Sequence, residues 1–149
     1  MAFVNNVYAR LIVGWRASRT ANAGFVLDAL EQAIYQHTPA QAQLVHHPDR
    51  NICRSNTLNG WQKPKLLRPS VASGGSYDNA LAEKINGLFN AEVIHRRGPW
   101  GSFEAVEYAN LEWVDWFNNR RLMESIGDIA PTEVEANYHA ALERSDMAA

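Results

Sequence analysis

The stretch Ser76-Tyr77-Asp78-Asn79-Ala80-Leu81-Ala82-Glu83-Lys84-Ile85-Asn86-Gly87-Leu88-Phe89 decides how this chain is read. Leu81, Ile85, Leu88 and Phe89 recur at i, i+4, i+7 and i+8, the spacing that lines up apolar side chains on one face of a helix. The spacing predicts an amphipathic helix over 78–89, entered through a turn-forming Ser-Tyr-Asp. Asn79, Glu83, Asn86 and Asn90 fall on the opposite side. A lone carboxylate among amides on a polar helix face is ordinarily a solvated position. Glu83 stands out because a second acidic residue, Asp49, lies upstream in a different setting.

Leu44-Val45-His46-His47 reads as a short strand that delivers Asp49 just past its C-terminal end. Catalytic and ligand-binding residues favour that position in α/β sheets. A zinc site at the histidine pair is not supported. Neighbouring residues on a strand point to opposite faces, and no cysteine or third histidine has ligand spacing. Further upstream, 3–8 and 11–16 are rich in Val, Ile, Tyr and Trp and read as two strands linked through Ala9-Arg10. A helix is predicted over 24–37, with Val26, Leu30, Ala33, Ile34 and His37 on one face, Glu31 and Gln32 outside, and Thr38-Pro39 ending it.

Downstream of the Glu83 helix, residues 91–101 read as a helix exit and turn carrying Arg96 and Arg97. Ser102 is placed to cap a third helix, with Phe103, Val106, Ala109, Trp113, Trp116 and Phe117 as its apolar face. Asn118-Asn119-Arg120-Arg121 closes it with positive charge suited to the helix dipole. A last helix is predicted from Pro131 to about Leu142, before a frayed tail. Residues 50–75 are unlike the rest. They follow neither helical nor strand period, Gly60, Pro64 and Pro69 interrupt them, and Arg50, Arg54, Lys63, Lys65 and Arg68 appear with no acidic partner. A structureless segment of that length inside a compact domain is either functional or a sign of trouble.

Composition narrows the classes. With 149 residues, 46% of them hydrophobic and 20% charged, the chain reads as one ordinary globular domain able to bury a core. A net charge of −2 gives no overall electrostatic pull toward nucleic acid, so such a role would need local basic patches. The single Cys53 excludes a disulfide framework, and no long apolar run points to a membrane; a cytoplasmic location is expected.

Two carboxylates converging from a strand end and a helix are what a divalent-metal site for phosphoryl transfer requires, together with a further carboxylate from a neighbouring strand. At these residues the chain resembles a family. Val45-His46-His47-Pro48-Asp49-Arg50, Ser76-Tyr77-Asp78-Asn79-Ala80-Leu81-Ala82-Glu83 and Trp113-Val114-Asp115-Trp116-Phe117-Asn118-Asn119-Arg120-Arg121 look like the integrase-core transposases of bacterial insertion sequences. Those are relatives of retroviral integrases with a ribonuclease H-like fold. The resemblance implies DNA strand cleavage and transfer by two Asp and one Glu holding Mg²⁺ or Mn²⁺. By motif match Asp49 is the second Asp and Glu83 the Glu, both catalytic and metal-binding. The same match puts Asn79, Lys84, Arg96 and Arg97 towards DNA. The implied architecture is α/β: a ribonuclease H-like integrase core over 1–100, with 51–75 irregular, and a C-terminal helical extension of the same domain over 101–149.

Three departures shape the functional expectation. The family's first catalytic Asp sits on the strand before the one that opens here, so the core is expected to lack its first strand and to be inactive alone. Asn6 stands where relatives carry a non-catalytic Asp and is not promoted to the site. An exposed sheet edge also predicts self-association. The alternative is a non-catalytic nucleic-acid-binding or dimerising remnant that uses Lys84, Arg96, Arg97, Arg120 and Arg121 on phosphates.

The third departure is spacing. Thirty-three residues (positions 50–82) separate Asp49 from Glu83, two short of the family's interval. Asn51-Ile52-Cys53 is encodable as AAT-ATT-TGT, and the frame opening one base earlier is compatible with Gln-Tyr-Leu. In that frame Gly60-Trp61-Gln62-Lys63-Pro64-Lys65 hides Arg-Leu-Ala-Glu-Ala-Lys, a good helical string. The hypothesis is that residues from about 51 to 72 are translated out of frame between two small indels. Sequencing the DNA across codons 50–76 tests it: the shifted frame is expected to encode a family-like helix, and its absence would sink the idea.

Overall fold

The computed structural model describes residues 1–20, 23–36, 44–45, 66–67 and 75–147. It is a mixed helix-and-strand chain, mostly helical, in the order β1 (Ala2–Asn5), β2 (Ile12–Arg16), α1 (Ala23–Gln36), β3 (Leu44–Val45), β4 (Leu66–Leu67), α2 (Gly75–Phe89), a π-helical turn (Asn90–His95), α3 (Phe103–Asn119) and α4 (Pro131–Asp146). These fall into two compact units: Met1–Val4 with Val13–Asn86, and Asn5–Ile12 with Gly87–Ala149.

In the first unit β2 and α1 approach closely because the residues between them are small. Gly14 has no room for a side chain: a Cβ there would run into the Ala29 carbonyl oxygen and stand 3.0 Å from the Ala33 Cβ. Ala29, Leu30 and Ala33 form the buried face of α1. Gln32, expected outside, turns its Oε1 to accept a 3.3 Å hydrogen bond from the Trp15 backbone N–H. β3 and β4 pair in parallel, Leu44 opposite Leu66 and Val45 opposite Leu67. Leu66–Leu67 lies inside the segment whose sequence shows no strand period, since two residues are too few to display one.

β1 and β2 pair through a six-residue link rather than the tighter one the sequence suggested. The Asn6 side chain organises that link, accepting from the N–H of Tyr8 (3.0 Å) and of Ala9 (3.2 Å), an Asx-type turn. Arg10 then takes a left-handed conformation (φ 61°).

The second unit is built on α3. Ala109, Asn110, Trp113, Val114 and Phe117 are its buried residues, and Ser102 caps it, its hydroxyl accepting from the Ala105 N–H at 3.2 Å. Phe89 packs edge-on against Trp113 at 5.4 Å, and Trp113 against Phe117 at 5.1 Å. Burial of each such side chain contributes about 1.5–3 kcal/mol. Trp116, assigned by periodicity to the apolar face, is instead 40% exposed. Asn110, which the apolar pattern passed over, is fully buried, with neither amide atom hydrogen-bonded among the described residues. Helix α4 begins at Pro131, whose ring suits a first helical position, and runs to Asp146, past the predicted end near Leu142.

Asn118 ties the second unit together. Its Oδ1 accepts from the Ile12 N–H at 2.9 Å and its Nδ2 donates to the Ile12 carbonyl at 2.9 Å, across 106 residues of chain. Its own carbonyl accepts from the Thr132 hydroxyl at 3.0 Å. Ile12 is buried, so losing the amide leaves two backbone groups unpaired at about 1–3 kcal/mol each. Asn118→Ala is therefore expected to cost about 2–6 kcal/mol in urea denaturation, and Asn118→Asp, which keeps the acceptor but sets a carboxylate oxygen against the Ile12 carbonyl, no less. An unchanged midpoint for Asn118→Ala would contradict the role.

Candidate functional site

Helix α2 carries Glu83 and Lys84 on its exposed side, while Leu81, Ile85 and Phe89 are buried. The buried positions continue to Val93, every fourth residue from 81 to 93. An α-helix drifts about 40° for each such step, and a wider π-helical turn takes up that drift. Asn90–His95 is such a turn, where the sequence suggested a helix exit.

Glu83 makes no hydrogen bond or ion pair among the described residues, and Asn86 is turned back on its own helix, its Nδ2 donating to the Ala82 carbonyl at 3.1 Å. Asn79 lies within α2. Asp49 lies outside the described residues, beyond β3. The structure thus places Glu83 on an accessible helix face, and its relation to Asp49 lies outside the described residues. Among the described residues no group of three or more His, Cys, Asp or Glu could hold a metal ion. Glu83 and Asp49 are nonetheless hard oxygen donors of the type Mg²⁺ and Mn²⁺ prefer.

The other carboxylate on this helical run has a different fate. Glu92 Oε2 accepts from the Trp113 indole N–H at 2.8 Å, and Arg121 Nη1 donates to both carboxylate oxygens at 2.9 and 3.0 Å. The Arg121 guanidinium lies 5.3 Å from the Trp116 ring and 5.4 Å from Phe117, within cation–π range. Both partners of this pair are under a third exposed. Arg121 is therefore a structural ion-pair partner, beyond the helix-dipole role read from sequence. Nothing in the helical period singles out Glu92; only its offset from the polar stripe of Asn79, Glu83, Asn86 and Asn90 hints at another partner. Arg96 is exposed, and Arg97 pairs with Glu112 at 3.1 Å with both side chains about half exposed.

Against known proteins, residues 69–131 match the integrase core domain. The chain is also 46% identical over 152 residues to the transposase for insertion sequence element IS629 of Shigella sonnei, covering 100% of this chain and 50% of that protein. Over its whole length the chain is similar to integrase-core transposases of bacterial insertion sequences. It is 45% identical over 150 residues to a putative transposase for insertion sequence element IS986/IS6110 of Mycobacterium tuberculosis strain ATCC 25618 / H37Rv, covering 97% of this chain and 54% of that one. Over a shorter span of 64 residues it is 39% identical to the transposase for insertion sequence element IS3411 of Escherichia coli, covering 43% of this chain and 27% of that protein. The chain spans about half the length of the first two of these relatives. No solved structure matches it. The integrase core family implies a ribonuclease H-like fold and divalent-metal dependence.

The Glu92–Arg121 and Arg97–Glu112 ion pairs differ in burial, and that sets their worth. Arg121→Met leaves Glu92 part-buried with only the indole donor and is expected to cost about 1–3 kcal/mol. Arg97→Gln is expected to cost under about 1 kcal/mol. Combining Arg121→Met with Glu92→Leu should cost less than the sum of the two singles, because the partners are coupled. Additive losses in urea denaturation would contradict a coupled pair.

Proposed function

We propose that this chain supplies two of the three carboxylates, Asp49 and Glu83, of a metal-dependent DNA strand-cleavage and strand-transfer site. Its likeness over its whole length to insertion-sequence transposases carries that reading. The state of the acidic side chains supports the choice of Glu83: it is exposed and unengaged among the described residues, whereas Glu92 is committed to Trp113 and Arg121. When bound, Mg²⁺ or Mn²⁺ would stabilise the attacking and leaving oxygens of an in-line displacement. Asp49 and Glu83 would hold it.

The third carboxylate, on the strand that the ribonuclease H-like core carries ahead of β1, is proposed to come from polypeptide outside these 149 residues. The chain is therefore proposed to be inactive alone, with residues 1–100 as core and 101–149 as its helical extension. Asn79, Lys84 and Arg96 are proposed DNA contacts; Arg97 joins them only by giving up its pair with Glu112. The reading of the C-terminal helices as a phosphate-binding module is the weaker alternative. Arg97 and Arg121 are engaged with carboxylates, and Asn5–Ile12 with Gly87–Ala149 hold six Arg, no Lys and eleven Asp or Glu, a formal net charge of −5. No helix among the described residues is long and apolar enough to cross a membrane, and a cytoplasmic site of action is proposed.

Titrating Mn²⁺ by water-proton relaxation, alongside a strand-transfer assay on terminal-repeat DNA, tests this reading. The chain alone is expected to give no transfer product and a weak Mn²⁺ site. Glu83→Gln or Asp49→Asn should lower the Mn²⁺ affinity by about tenfold or more, and Glu124→Gln on the surface should not. Unchanged affinity in Glu83→Gln would remove Glu83 from the site, and transfer product from the chain alone would refute the proposal that it is inactive alone.

A further inference from the structure

We propose that Glu112 holds Arg97 in reserve, as an intramolecular competitor that DNA phosphates must displace before Arg97 joins the interface. The inference rests on the reading of Arg96 and Arg97 as DNA contacts. Both arginines follow the π-helical turn directly, and both are exposed. The Arg96 side chain makes no hydrogen bond or ion pair among the described residues. Arg97 instead reaches α3, its Nη1 donating to Glu112 Oε2 at 3.1 Å.

The build of this pair suits it to opening. Arg121 binds both oxygens of Glu92 beside an indole N–H and two aromatic rings, and opening that pair leaves a part-buried carboxylate short of donors. The Arg97 pair is a lone hydrogen bond between side chains that are each about half exposed. Water replaces either partner at little cost. The unit around it carries a net charge of −5, and α3 bears Glu104, Glu107, Glu112 and Asp115 with no lysine or arginine. Of these four, Glu112 is the one bonded to Arg97. A single small anion gains little by trading places with a carboxylate of like charge. A duplex presents phosphates in a row, so one engages Arg96 while its neighbour competes for Arg97. Arg97 is thereby released to a polyanion and withheld from isolated anions.

A double-mutant cycle on the full chain tests this, read as the affinity for a fluorescently labelled DNA duplex at low salt. Glu112→Gln is expected to tighten binding by about two- to fivefold, the worth of an exposed ion pair. Asp115→Asn, the same loss of charge three residues along α3, should tighten it less, and equally in the wild-type and Arg97→Gln backgrounds. In the Arg97→Gln background, Glu112→Gln should gain no more than Asp115→Asn does. Urea midpoints should stay near that of the wild type, since all three side chains are exposed. An equal gain from Glu112→Gln in both backgrounds would overturn the proposal. Weaker binding in Glu112→Gln would overturn it too, making Glu112 a residue that orients Arg97 for DNA. If Arg97→Gln leaves the affinity of the Glu112→Gln chain unchanged, Arg97 does not touch DNA, and the underlying reading falls with the proposal.

Discussion

A side-chain amide that behaves like a strand holds the second unit together. Asn118, at the end of α3, pairs with both backbone groups of Ile12 and so continues the hydrogen bonding of β2 with a side chain. The same residue's carbonyl receives the Thr132 hydroxyl at the start of α4. One position therefore joins the hairpin, α3 and α4. Because Ile12 is buried, water cannot replace the amide, and the chain segments 5–12 and 87–149 are obliged to fold together. The cooperative unit is thus discontinuous in sequence, closed by a contact whose partners stand 106 residues apart.

Around that clamp the acidic groups sort by what they touch. Glu92 lies beside the aromatic core of Phe89, Trp113 and Phe117 and is held by an indole and a guanidinium, a part-buried network with its donors and acceptors matched. Glu83, nine residues earlier, meets solvent. A carboxylate already neutralised by Arg121 is poorly disposed to take a divalent ion, whereas an exposed one loses nothing by doing so. This difference is consistent with the proposal, made from the motif, that Glu83 is the metal ligand.

Much of this was legible in the residues. The 3.6-residue period gave α1, α2 and α3 within a few positions, Ser102 announced the start of α3, and Pro131 that of α4. The motifs carrying Asp49 and Glu83 pointed to the same transposases that the chain proves similar to. What escaped has physical causes. Periodicity averages over a face, so it placed Trp116 inside and missed the buried Asn110. A strand of two residues has no period, which hid β4. The clamp at Asn118 and the pairing of Arg121 with Glu92 are long-range contacts, and no local pattern encodes the partner of a side chain. Charge sorted the same way: the chain's net −2 concealed a unit of −5.

The measurement closest to the centre of this account is the native-state exchange of the Ile12 backbone N–H. If Asn118 closes a discontinuous cooperative unit, that amide should exchange only with global unfolding, at the same free energy as the amides around Trp113 in α3. Exchange at the fast, local rate of a two-stranded hairpin edge would contradict the account, for it would mean that the hairpin and α3 open independently.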